Sequence, residues 1–186
     1  MLKKLPVCTH IAAIVPLYTQ AGDRTAIITT DGTSTSTATT VRTVLRRLAH
    51  SRSTDLTALR HQTTLATGRR ILQPLPLAPG LVLCPVKTRI PKVTGDTSTG
   101  YINYHAVTGV AETALSSSYQ SIVKLTGGTD IPVYWTCDTV KKHLQSAKLA
   151  ISHTIQSTDS HPDLMPIAQK LVEIIYDILV LKHGKE

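Results

Sequence analysis

A chain of 186 residues fits one domain, or one domain with a helical appendage, and 41% hydrophobic residues suffice for a core. A net charge of +8, from 20 Lys and Arg against 12 Asp and Glu, favours an anionic partner, while 4% aromatics argue against a stacking platform for single strands. Three widely spaced cysteines, Cys8, Cys84 and Cys137, argue against a disulfide framework and for a reducing compartment.

The charge is unevenly placed: residues 1–110 hold 13 Lys/Arg against 4 Asp/Glu, and residues 111–186 hold 7 against 8. The apolar stretch Ile11–Leu17 is too short for a membrane span and no secretory cleavage site follows it, so a cytoplasmic location without membrane contact is expected.

In chain order, Val7–Leu17 and Arg24–Thr30 read as strands, the second rich in β-branched residues. Asp31-Gly32 is a hairpin turn, and the Thr/Ser run Thr33–Thr40 is an exposed strand or a loop. Thr39 or Thr40 caps a helix to about His50, with Val41, Val44, Leu45 and Leu48 on one face and Arg42, Arg46 and Arg47 towards the other. Ser51–Asp55 breaks this helix and caps a second, Leu56–Ala66, which Gly68 ends. The pair invites a helix-turn-helix reading, but only Arg60, His61 and Gln62 could read bases, and the surrounding chain is too rich in strands. Leu72–Pro79, with Pro74, Pro76 and Pro79, should be extended and lie at an edge.

Leu81–Cys84 is an apolar strand. Val86–Ile90 alternates apolar and cationic residues, so Lys87 and Arg89 should share a face; Pro91 ends the segment and Lys92 adds a third cation. After the small, pliant loop Thr94–Gly100, the strand Tyr101–Val107 should carry Tyr101, Asn103 and His105 on one face and Ile102, Tyr104 and Ala106 on the other. Val110–Leu115 is a short segment. Ser121–Thr126 and Thr129–Tyr134 flank a Gly127-Gly128 hairpin turn, with Pro132 marking an edge. Asp138 should cap a helix from Thr139 to about Ile155. A last helix starts near Pro166 and carries Ile167, Leu171, Ile174, Ile178 and Leu181 as a heptad-like seam, for packing or self-association. The expectation is an α+β fold: a strand-dominated antiparallel body with short helices over residues 1–156, and a C-terminal helical segment over 157–186.

No phosphate-binding glycine loop with its lysine is present, nor a closely spaced Cys/His set, so no nucleotide cofactor and no metal is expected. Cys84 with His105 would make a nucleophile pair only if the thiol were accessible, and its apolar strand argues for a buried one. With acids sparse in the basic half, nothing supports an enzyme. Cations on one strand and polar donors on the next, around a pliant loop, suit a phosphate backbone.

A particular order of residues runs from Asp55-Leu56 through Arg60, Thr64 and Gly68 to Gln73-Pro74-Leu75-Pro76. It continues through Leu81–Pro85, Arg89-Ile90-Pro91, Gly100-Tyr101-Ile102 and His105-Ala106-Val107. Val123-Lys124-Leu125, Gly127-Gly128, Ile131-Pro132-Val133 and Val140–Leu149 complete it. Over roughly residues 50–150 this layout resembles the ComK family of bacterial competence transcription factors, although Gln73 stands where relatives tend to have a basic residue. The resemblance implies a transcriptional activator of competence genes that binds A/T-rich duplex boxes largely through the minor groove. It also implies assembly as a homo-oligomer on DNA and recognition by a proteolytic adaptor. The expected DNA contacts are Lys87, Arg89, Lys92, Asn103 and His105, with Arg60, Arg69 and Arg70 in electrostatic support and Arg46 and Arg47 as weaker contributors. The competing expectation is a protein-interaction module whose basic face docks an acidic partner.

Overall fold

Runs of β-branched residues separated by Gly, Asp and Pro turns become two antiparallel sheets. The computed structural model describes residues 6–20, 22–113 and 118–159, the side chains of residues 8 and 154–159 excepted. The larger sheet contains β1 (Ile11–Thr19), β2 (Gly22–Thr29), β3 (Ser34–Thr37), β4 (Leu75–Ala78), β5 (Leu81–Lys87) and β6 (Thr99–Asn103), in the order β3-β2-β1-β6-β5-β4. The smaller one is β7 (Val107–Glu112), β8 (Ser121–Leu125) and β9 (Asp130–Val133), in that order. The prolines expected at edges are there: Pro76 lies in β4 and Pro132 in β9, both outer strands, where a missing N–H costs no ladder bond. The Thr/Ser run supplies the other edge of the large sheet, β3.

The helices α1 (Val41–His50) and α2 (Leu56–Thr67) begin and end on local signals. Thr40 Oγ1 accepts from Thr43 N at 3.3 Å, and Asp55 Oδ1 accepts from Thr57 N at 2.7 Å. Gly68 closes α2 in the left-handed region at φ 69°. For α3 (Cys137–Asp159) the cap differs from the expected Asp138: Thr136 Oγ1 accepts from Thr139 N at 3.3 Å, so the helix starts two residues earlier.

The large sheet buries both faces. On one, Ile11, Ile14, Ile27, Leu81 and Leu83 pack under Val44, Leu45 and Leu48 of α1 and Leu59 of α2. On the other, Ala12, Ala13, Ile28, Val86 and Ile102 meet Val123, Leu125, Ile131 and Val133 of the small sheet and Val140 of α3. Val82 and Cys84 pack against Ala147 of α3. The β2–β3 and β8–β9 turns touch: a Cβ on Gly127 would lie 2.4 Å from Gly32 N, and one on Gly32 would lie 2.6 Å from Gly127 O. With φ of 86° and 83°, both positions need glycine twice over, for conformation and for space.

The expected strand Tyr101–Val107 is broken. β6 ends at Asn103, a 3-10 turn spans Tyr104–Ala106, and β7 then leaves for the other sheet. The alternation expected beyond Asn103 is lost with it.

The chain divides into two units, Met1–Ile151 and Ser152–Glu186. Of the second, only the residues that complete α3 are described; the heptad-like seam from Ile167 to Leu181 lies outside the described residues. No described helix is long and apolar enough to cross a membrane.

Candidate nucleic-acid interface

Strand register decides which cations share a surface. Lys87 pairs with Thr99, Pro85 with Tyr101 and Leu83 with Asn103, and directly opposed residues of antiparallel strands project to one face. That is the face which α1 and α2 cover through Leu81 and Leu83, so Lys87 lies on it at the far end of β5, half-buried. Its carbonyl accepts from Tyr134 N at 2.9 Å. Arg60 of α2 sits against the Tyr101 side chain; burial pushes the Tyr101 hydroxyl above the ordinary phenol range, and the Arg60 charge opposes that shift. Lys87 lies two residues along β5 from the partner of Tyr101, a rise of about 7 Å. Arg60 therefore meets the sheet at Tyr101, and Lys87 lies at the end of β5 on the same face.

The loop between β5 and β6 is strapped down, and this corrects the expected role of Arg89. Arg89 is only 7% exposed. Its Nη1 makes an ion pair with Asp23 Oδ1 at 2.6 Å, its Nε donates to Thr97 O at 2.6 Å, and its guanidinium lies 4.0 Å from the centre of the Tyr18 ring. A side chain with these commitments cannot reach into a DNA groove. Tyr18 carries the strap further: its hydroxyl donates to Asp96 and accepts from Lys92 N at 2.8 Å. The Tyr18 bond holds the Asp96 carboxyl below the usual carboxylate range, and burial, with the bond to Asp96, raises the Tyr18 hydroxyl. The pliant loop expected from its composition is pinned at its start to β1. Lys92 remains exposed, with Nζ 4.8 Å from the Tyr18 ring centre.

Asn103 is likewise corrected. It is 1% exposed and spends its amide inside the protein: Nδ2 donates to Ile11 O and Gly80 O, both at 2.9 Å, and Oδ1 accepts from Val82 N at 3.2 Å and His105 N at 3.3 Å. It ties β1, the β4–β5 turn and the 3-10 turn together. His105 is exposed, edge-on to Tyr104 with ring centres 5.5 Å apart, but it sits in the 3-10 turn and does not share the Tyr101 face.

Arg69 belongs to a different surface. Its Nη1 lies 3.2 Å from Nε2 of His143 on α3. The His143 ring stacks on Trp135 with centres 4.5 Å apart. Burial, with the Arg69 charge second, lowers the His143 pKa to about 4, so its ring is neutral and Nε2 accepts from Arg69. Arg69 also acts on Cys84, whose thiol burial pushes up to about 12, as a buried structural cysteine requires. Cys84 faces α3, the opposite side of β5 from Lys87. Arg70 is exposed and offers its carbonyl to Gln73 Nε2 at 2.6 Å. Of the expected contacts, the structure sets Arg60 against Tyr101 on the sheet face that Lys87 ends, leaves Lys92 exposed in the loop that follows and Arg70 and His105 exposed elsewhere, ties Arg69 to His143, and buries Arg89 and Asn103.

A further group of cations includes Arg46 and Arg47, which the sequence ranked low, and Arg42, which it did not single out as a contact. Arg42, Arg46 and Arg47 of α1 and Arg60 of α2 line a single cavity of about 690 Å³ between the two helices. The signal was present: Arg42 and Arg46 are four apart on the polar side of α1, and no acid stands in its first turn. Concavity is a tertiary property, and no periodicity announces it. Among the described residues no group of three His, Cys, Asp or Glu side chains is placed to hold a metal. No known protein family, curated protein or solved structure matches the chain.

Proposed function

We propose that the protein binds duplex DNA as a ComK-like transcriptional regulator. The observation that carries this reading is the shared face of Arg60 and Lys87, with exposed Lys92 following, in a half of the chain with 13 cations and 4 acids. Short cationic strand ends and a strapped hairpin loop present point charges to phosphates without a recognition helix. The residue order from Asp55 to Leu149 adds the rest: A/T-rich promoter boxes, activation of competence genes, and assembly as an oligomer on DNA. With Arg89 and Asn103 committed internally, Lys87, Lys92 and Arg60 take the phosphate contacts.

The test is fluorescence anisotropy of A/T-rich and G/C-rich duplexes across a salt series. The wild-type protein should prefer the A/T-rich duplex, and Lys87→Ala/Lys92→Ala should weaken both duplexes alike and lower the salt slope by about two units, one per lost phosphate contact. Equal slopes for the two proteins would refute this surface, and no retention of either duplex at low salt would refute DNA binding itself.

A further inference from the structure

The cavity between α1 and α2 is a concavity whose described lining carries a charge imbalance. Arg42, Arg46 and Arg47 rise from the polar side of α1, and Arg60 enters from α2. Arg42, Arg46 and Arg47 form no ion pair among the described residues. The one carboxylate in the lining, Asp55, is already the N-cap of α2, where Oδ1 accepts from Thr57 N at 2.7 Å and Ala58 N at 3.4 Å. Four guanidinium groups against one carboxylate leave a surplus of three positive charges at neutral pH.

This arrangement is unfavourable for the free protein. Arg42 stands in the first turn of α1, where the helix dipole disfavours a cation, and Arg46 is one turn above it, a repelling i,i+4 pair. A local rule broken in this way, with no compensating ion pair among the described residues, is characteristic of a binding site. The volume falls within the range of small-molecule sites, roughly 300–1,000 Å³. Guanidinium groups bind phosphate oxygens through paired N–H donors, and four arginines lining one space can engage several phosphates at once. A duplex backbone is a convex line of separated charges; a compact ligand with three or more negative charges matches a concave site with a surplus of three.

We propose that the α1–α2 cavity is a binding site for a compact polyphosphate anion, of the class of inorganic triphosphate or a nucleoside triphosphate. The site shares Arg60 with the proposed DNA surface but includes neither Lys87 nor Lys92, and the proposal does not rest on the DNA reading. Titration of the full chain with inorganic triphosphate, at constant ionic strength and with sulfate and orthophosphate in parallel, should give saturable binding of one equivalent. Triphosphate should bind at least tenfold more tightly than orthophosphate. The pair Arg42→Ala/Arg46→Ala, solvent-facing and therefore expected to fold, should raise the triphosphate Kd at least tenfold, whereas Lys87→Ala/Lys92→Ala should leave it unchanged. Circular dichroism confirms that each variant is folded. Absence of saturation beyond the sulfate control would overturn the proposal, as would an unchanged Kd in the α1 pair. A loss of duplex affinity in the α1 pair, with no triphosphate binding by the wild type, would reassign the cavity to DNA and also overturn it. Failure of the DNA reading shows separately, in the anisotropy series.

Discussion

Arg89 and the arginines of α1 are the same residue type in the same basic half of the chain, yet the fold treats them in opposite ways. Arg89 is buried with Asp23, Thr97 O and the Tyr18 ring around it. Arg42 and Arg46 stand exposed around a cavity whose only carboxylate is spent on a helix cap. The difference lies in the acids. A guanidinium can leave water only where a carboxylate and further acceptors replace its hydration, and of the 4 acids in residues 1–110 one, Asp23, is placed to do this. Where cations cluster says little about which of them meet a partner; where the few acids fall says more.

The sharpest way to break this contrast is to remove the buried cation. Arg89→Ala leaves Asp23 without its counterion and frees Thr97 O, and should cost about 3–4 kcal/mol, towards the lower end of values for buried pairs because the Asp23 side chain keeps 31% of its exposure. The equilibrium urea midpoint measures it. If the midpoint stays where it was, Arg89 is a surface residue after all, and its place among the DNA contacts returns.

Asn103→Ala comes next. It orphans the carbonyls of Ile11 and Gly80 and the N–H groups of Val82 and His105, and about 2–3 kcal/mol should be lost, given about 1 kcal/mol for a typical bond and more where a buried group stays unpaired. Duplex affinity, extrapolated to the folded fraction, should not change. A folded Asn103→Ala protein with wild-type stability and weaker DNA binding would contradict the internal role.

These two residues also mark how far the chain could be read before it was seen folded. Thr40, Asp55 and Gly68 set helix ends through partners within four residues, and the prolines of β4 and β9 marked edges by their own missing N–H; such signals are local and were legible. Asn103 finds Ile11 across 92 positions and Arg89 finds Asp23 across 66, and neither separation leaves a trace in periodicity. The α+β class and the antiparallel hairpins were legible for the local reason. The strand break at Asn103, the pinned loop and the α1–α2 cavity were not, because each is made by segments meeting from afar.

A third cation, Arg69, lies between the two extremes: it is half-buried, with a neutral histidine as its acceptor. The folded His143 holds its proton only below about pH 4, whereas the unfolded one holds it below about pH 6.5, so between these values the unfolded state binds the extra proton. Stability should be full above pH 6.5 and fall as the pH drops to 4, by up to about 2–3 kcal/mol from this residue. His143→Phe, which keeps a ring against Trp135, should flatten that part of the stability–pH curve. An unchanged slope in the variant would place the acid sensitivity in other groups.

The smallest effect tests the other side of the contrast, and its sign is what matters. If the α1 arginines are held against the interest of the free protein, replacing one with an acid should stabilise it. Arg42 is the second residue of α1, and a glutamate there would meet the positive end of the helix dipole and turn the repelling pair with Arg46 into an attracting one. Together these should contribute about 0.5–1 kcal/mol at low salt, within the range of single surface charge effects. The gain should shrink as salt is raised, since the Debye length falls from about 10 Å at 0.1 M to about 3 Å at 1 M. Urea midpoints of Arg42→Glu and wild type at two salt concentrations read both the sign and the screening. A salt-insensitive loss of stability would mean that Arg42 has a structural partner, and that the cations of α1 and the buried Arg89 are not opposites but two degrees of the same arrangement.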